Sequence, residues 1–334
     1  MVKFRRSDRS DRGAVMIWFA ASVVVSLGMG ALVIDMGALW TERRQLQNGA
    51  DAAAMAVAMD CAAGNCGTPL ARAQEYANLN AADDVSNVDS LCGSMSPLAV
   101  CPPPPEAAGT SGFVEVIAGT RTSGGGSQIK YLLAPVLEGG KTGKHVTARA
   151  VAGWRAAGSG KVAAMVLSRC DALPLNGIRR VMFIATTPAQ TCNDTKFRNI
   201  PQGFEFVQDG DKDCLVAISL LSVGGDKLPK DNEGNNPNCK TLLNEAIATR
   251  QPLLFPIATG RQDVGSNATY TIDGFALVQL CGYDLPGTST NGCCPKPIKG
   301  YRVCGTFVRG TLIDGDWGSG NNSDYGAYVV KLIG

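Results

Sequence analysis

The sequence predicts an α+β protein: a single N-terminal transmembrane helix that continues into an extracellular helix, then a mostly antiparallel, β-rich, disulfide-stapled domain. Three observations predict it. A basic arm is followed by 21 residues without a charge, Ala14 to Ile34. All 12 cysteines lie beyond that stretch. Past the run Pro102-Pro103-Pro104-Pro105 the hydrophobic period moves from that of a helix towards two, the period of a strand.

As a helix the uncharged stretch reaches about 31 Å, which matches the roughly 30 Å hydrocarbon core of a bilayer. The rival is a cleaved secretory signal, whose apolar region normally runs about 7–15 residues and ends at a small-residue cleavage site. Here Asp35 and a helix-compatible run follow instead, so residues 14–34 read as an uncleaved signal-anchor. Lys3, Arg5, Arg6, Arg9 and Arg12 outweigh Asp8 and Asp11 to give the first 13 residues a charge of +3, whereas Glu42, Arg43 and Arg44 nearly cancel. The basic-residue bias then keeps residues 1–13 in the cytoplasm and places everything after residue 34 outside. The expected location is a bacterial plasma membrane, crossed once. Ser22, Ser26 and Gly30 recur at four-residue steps in the span, a small-residue face open to self-association, although small residues are common in membrane spans generally.

Residues 35–63 read as a membrane-proximal helix, because Leu39, Leu46, Ala50, Ala53 and Val57 repeat at the spacing of one helical face. The small residues of Ala50-Asp51-Ala52-Ala53-Ala54 leave room for a neighbouring helix. Gly64-Asn65 is a stop signal, flanked by Cys61 and Cys66. Residues 64–110 form a small helical, Cys/Pro-rich segment and linker. Leu70, Ala73, Tyr76 and Ala77 share a face between Thr68 and Ala82, and Cys101 to Pro105 is a stiff spacer. Residues 111–334 form the exported β-rich domain. Strands are expected at Phe113–Ile117, His145–Val151, Lys161–Leu167, Arg180–Ala185, Gly203–Val207, Thr269–Leu280, Tyr301–Leu312 and Tyr325–Leu332, with helices only at Tyr131–Leu137 and Thr241–Ala248.

An even cysteine count in an exported region predicts disulfides among Cys61, Cys66, Cys92, Cys101, Cys170, Cys192, Cys214, Cys239, Cys281, Cys293, Cys294 and Cys304, with connectivity left open. No CxxC pair occurs and His145 is the only histidine, so zinc lacks its usual ligand spacing. Removing the arm's five basic and two acidic residues from totals of 31 and 29 leaves 26 and 27, a balance that advertises no nucleic acid.

Several fragments resemble catalytic motifs only in part. Ser127-Gln128-Ile129-Lys130 with Lys141-Thr142-Gly143 has the elements of a penicillin-binding site, but glycines precede the serine and no SDN element exists. Gly140-Lys141-Thr142 lacks the earlier glycine of a phosphate-binding loop, since Pro135 stands there. His145 sits in an expected strand with no GxSxG turn. Asp209, Asp211 and Asp213 alternate like a calcium loop, yet Cys214 and Leu220 occupy the places of its required glycine and glutamate. Asp314, Asp316 and Asp324 lie in a second acidic turn region, and an irregular calcium site is the alternative to plain acidic turns in both places. No catalytic residue, cofactor or metal is expected, and the protein is not expected to be an enzyme.

Arg12-Gly13-Ala14-Val15, Leu32-Val33-Ile34-Asp35-Met36-Gly37 and Arg43-Arg44-Gln45-Leu46-Gln47-Asn48-Gly49-Ala50-Asp51-Ala52-Ala53-Ala54 together resemble the TadE/TadG-like family of Flp (tight adherence, Tad) pilus-assembly proteins. The resemblance covers residues 12–60. Its most specific part is Leu46, Gln47, Asn48, Ala50, Asp51, Ala52 and Ala53, with Gly49 where alanine is usual. Less specifically, His145 to Trp154 and Gly265 to Gly274 resemble exported regions of actinobacterial TadG-like proteins. Membership implies a membrane-anchored structural component of pilus assembly or tight-adherence secretion. Its partners would be the membrane and other Tad proteins or the pilus. The alternative is an anchored surface binding protein or adhesin that shares only the anchor. Two departures matter: Trp18 stands five positions after Gly13, where pilin-like members carry glutamate, and no DxSxS motif marks a von Willebrand A-type module.

Overall fold

The computed structural model describes residues 11–131, 143–172, 179–183, 203–208, 213–220, 227–229, 239–264, 267–285, 288–290, 292–294, 302–312 and 323–334. Most of the basic arm, the helix expected after Tyr131, Lys141, Thr142, Cys192, the Cys170 side chain, Asp209, Asp211, Asp314 and Asp316 lie outside the described residues.

The chain opens with helices α1 (Asp11–Ala62) and α2 (Pro69–Leu79). Strands β1 (Ser86–Gly93), β2 (Ala99–Val100), β3 (Gly112–Thr120), β4 (Ile129–Lys130), β5 (Gly143–Lys144), β6 (Thr147–Ala156), β7 (Ser159–Ala163) and β8 (Met165–Ser168) follow. A one-turn α3 (Arg169–Ala172) leads to β9 (Arg179–Phe183), β10 (Phe204–Phe206), β11 (Leu215–Ser219) and β12 (Lys227–Pro229). Helix α4 (Cys239–Thr249) precedes β13 (Leu253–Val264), β14 (Asn267–Leu285), β15 (Thr288–Thr290), β16 (Arg302–Val308), β17 (Gly310–Leu312) and β18 (Ala327–Leu332). Long apolar helix, mostly antiparallel sheets and disulfides make this an α+β protein, as the composition and periodicity predict.

Helix α1 is a single run of 52 residues because no proline interrupts it. It is long and apolar enough to cross a membrane, and from Val15 to Trp40 it exposes Val15, Ile17, Trp18, Phe19, Leu27, Leu32 and Ile34. It stops where the stop signal stands: Gly64 adopts φ +91°, and Asn65 N–H reaches back to the Asp60 carbonyl at 3.3 Å.

Two compact units form. The first comprises Met1–Ala54, Leu70–Leu91 and Glu115–Ala150. In it β3 lies between β1 and β6, and α1 and α2 bury mainly alanine: Ala50, Ala53, Ala54, Ala73 and Ala77. Gln74 ties α2 to β1, its Nε2 donating to the Ser86 carbonyl at 2.9 Å and its Oε1 accepting Val88 N–H at 3.1 Å. β1 is a strand that the polar run Asp83 to Ser90 conceals, because side-chain amides from α2 supply part of what a sheet neighbour would.

The second unit comprises Met55–Pro69, Cys92–Val114 and Val151–Gly334. Its main sheet has the order β10-β8-β13-β14-β16-β9, with β12 and β15 also pairing to β14. Its core gathers Met165, Leu167, Phe204, Phe206, Leu243, Phe255, Ile257, Ile272, Phe275 and Tyr283. Helix α4 rests on β14, where Tyr283 Oη donates to Asn244 at 2.9 Å. The single strand expected at Tyr301–Leu312 is two: β16 pairs antiparallel with β14, whereas β17 pairs parallel with β18. Arg309 marks the switch, its guanidinium 3.7 Å from Asp324.

Five disulfides are described: Cys61–Cys66, Cys92–Cys101, Cys214–Cys239, Cys281–Cys293 and Cys294–Cys304. They join neighbours in sequence, none more than 25 residues apart.

Candidate functional site: the membrane-proximal helix

The run Leu46 to Ala53 faces inward along one side and outward along the other. Leu46, Ala50 and Ala53 are buried, Gln47, Asp51 and Ala52 half-buried, and Asn48 exposed. Gln47 Nε2 donates to Asp51 one turn on at 2.8 Å and to the Arg149 carbonyl of β6 at 3.1 Å. Gln45 Oε1 accepts Ala82 N–H beyond the end of α2 at 3.2 Å. The neighbouring helix that the small residues admit is the chain's own α2, whose backbone at Ala77 lies against Gly49. The amides of this run therefore fasten α1 to β6 and to the chain just beyond α2.

One turn nearer the span, Met36, Leu39, Trp40 and Arg43 line a cleft of about 440 Å³ with Lys144, His145, Val146 and Thr147. The four α1 residues fall at i, i+3, i+4 and i+7, so they share one face. That spacing was readable in the sequence, but its pairing with Lys144 and His145, a hundred residues on, was not. Arg43 and Lys144 have no carboxylate within ion-pair distance among the described residues. Arg44 leans back over the Trp40 ring at 4.1 Å, as side chains on a helix lean towards its N-terminus.

His145 is a structural clasp. Its Nδ1 lies 2.6 Å from the Ser127 carbonyl oxygen and its Nε2 2.8 Å from the Asp89 carboxylate. Both neighbours are acceptors, so the ring satisfies both only when each nitrogen carries a proton. The bond to Asp89, then that to Ser127, accordingly raises its pKa above the ordinary histidine value. Glu42, on an adjacent face, is held above the usual carboxylate range chiefly by burial, with Asp83 adding to this and Thr120 opposing it.

Ser22, Ser26 and Gly30 are exposed on α1. The Ser22 hydroxyl donates to the Phe19 carbonyl at 2.8 Å, and space is open around Gly30. Of the acidic turns, Asp213 accepts Leu215 N–H at 2.9 Å. Asp324 accepts Gly326 N–H at 2.9 Å and the Tyr328 hydroxyl. Among the described residues no group of three or more His, Cys, Asp or Glu side chains converges as a metal site.

Residues 13–60 match the TadE/G-like Flp pilus-assembly family. The matched segment is the apolar stretch of α1 together with the inward-facing run that fastens it. It links the chain to Flp/Tad pilus assembly. No curated protein and no solved structure matches the chain.

Proposed function

We propose that this protein is a membrane-anchored structural component of Flp/Tad pilus assembly or tight-adherence secretion, acting through protein–protein contacts outside the membrane. The observation that carries the reading is the coincidence of the family match at 13–60 with one unbroken helix that is apolar at its start and docked at its end. Such a helix joins a span to a run docked on α2 and β6, which suits a structural part of an assembly. The N-terminus lies in the cytoplasm and the β-rich units outside, since the basic arm precedes the span and the disulfides follow it. The role is architectural and not catalytic. His145, the only histidine, has both ring nitrogens engaged, which leaves neither free to act as a base. The exposed Ser22, Ser26 and Gly30 face gives the span a seam for a second copy or another Tad helix.

Deleting the chain in its own host and imaging surface pili tests the function. Loss of pili, restored by the full chain, is expected. Intact pili with loss of surface binding alone would instead favour the adhesin reading. Alkaline phosphatase fused after Gly334 should be active, and an inactive fusion would reverse the orientation.

A further inference from the structure

We infer that the cleft between α1 and the Lys144–Thr147 segment binds the phosphate headgroup of an anionic membrane phospholipid. The inference rests on the membrane-anchored reading above. Trp18 lies within the uncharged stretch near its N-terminal end and Trp40 beyond its C-terminal end, and they are 78% and 61% exposed. Tryptophan prefers the membrane–water interface, and Trp40 lies six residues, about 9 Å, beyond the uncharged stretch that ends at Ile34, which sets it at headgroup level.

The cleft lies at this depth. Met36, Leu39 and Trp40 face it from the side of the bilayer, and Met36 and Trp40 remain largely exposed in the protein by itself. Arg43 follows Trp40 by three residues, about 4.5 Å further out, and helical side chains lean back towards the N-terminus. Its guanidinium therefore turns towards the headgroups. Lys144 approaches from β5 on the other wall. Neither cation has an ion partner among the described residues, whereas His145 is held by Asp89 and Glu42 lies beside Thr120 and Asp83. An apolar floor next to the acyl region, topped by two uncommitted cations, complements a glycerophospholipid: acyl and glycerol carbons on Met36, Leu39 and Trp40, phosphate between Arg43 and Lys144. A soluble anion would use the cations alone and gain nothing from the apolar floor.

The full chain is reconstituted in nanodiscs of phosphatidylcholine with a minor share of phosphatidylglycerol, and lipids retained after detergent release are counted by native mass spectrometry. The wild-type chain should retain phosphatidylglycerol selectively. Arg43→Gln with Lys144→Gln should lower that retention by up to about thirtyfold, since each basic residue near a membrane surface contributes about fivefold. Trp40→Ala, which keeps both cations, should lower it as well, and Lys240→Gln on α4 should not. Equal retention of both lipids by the wild-type chain, or undiminished selectivity in the double variant, overturns the proposal. Displacement by millimolar inorganic phosphate as readily as by phosphatidylglycerol would make this a free-anion site and also overturn it. Failure of the chain to enter nanodiscs would remove the anchored reading itself, whereas entry without selectivity removes only the headgroup site.

Discussion

Gly49 of α1 faces Ala77 of α2 so closely that a Cβ on Gly49 would lie 3.2 Å from the Ala77 carbonyl oxygen. The motif that this segment resembles usually carries alanine there. Here a second helix of the same chain takes up the space, and its backbone, which cannot rotate aside as a side chain can, is the nearest neighbour.

Substituting Gly49 tests that contact. Gly49→Ala should leave the melting temperature nearly unchanged, because a gain in helix propensity of about 1 kcal/mol opposes the need to push α2 back by a few tenths of an ångström. Gly49→Leu should destabilise by about 1–3 kcal/mol through overpacking. A Leu variant that melts like the wild-type chain would show that α2 is not held against α1.

The His145 clasp gives the fold a pH dependence of known sign. A histidine whose pKa is raised on folding contributes stability fully below its unfolded value of about 6.5, and loses it as pH climbs through the folded value. Raised Glu42 acts in the same direction from about 4.5 upward. Stability should therefore decline from pH 6 to pH 8 in the wild-type chain and change less in His145→Asn. Titration of the ring by NMR to a value at or below that of an exposed histidine would contradict the clasp to Asp89.

The disulfides should contribute unequally. Cys214–Cys239 closes a loop of 25 residues and joins the start of β11 to the start of α4. Cys61–Cys66 closes only five. In the chain-entropy account the longer loop is worth about 3–4 kcal/mol and the shorter about 2. Paired Cys→Ala variants compared by chemical denaturation should follow that order. Alkylation and mass spectrometry of the untreated protein should label few thiols.

Trp18 occupies the fifth position after Gly13, where a processed pilin-like subunit would carry a carboxylate. An indole there suits the interfacial belt and offers nothing to the new N-terminus of a neighbour. The arm should therefore remain attached. N-terminal sequencing of protein from its host's membrane decides this, and a mature chain starting at Ala14 would replace the anchor reading with a processed subunit.

The amino-acid sequence by itself determined what depends on local periodicity and composition. It gave α1 its length, since no proline breaks a 3.6-residue pattern, and it ended that helix at Gly64. It located α2 and α4 to within a few residues, and most antiparallel strands from their alternation. Its motif Leu46 to Ala53 identified the family segment. Tertiary structure decided what depends on a partner distant in sequence. β13 hides behind Pro256 and Gly260, residues that argue against a strand. Pro256 pairs with Phe275 of β14, and pairing to β8 starts only at Ile257, so its missing N–H goes unneeded. β16 and β17 read as one run because both alternate, and only different neighbours separate them at Arg309. Lys144 and Arg43 carry no shared local signal at all. They meet because the docking of Gln47 onto Arg149 brings the start of β6 against α1, a contact between residues 102 apart in the chain.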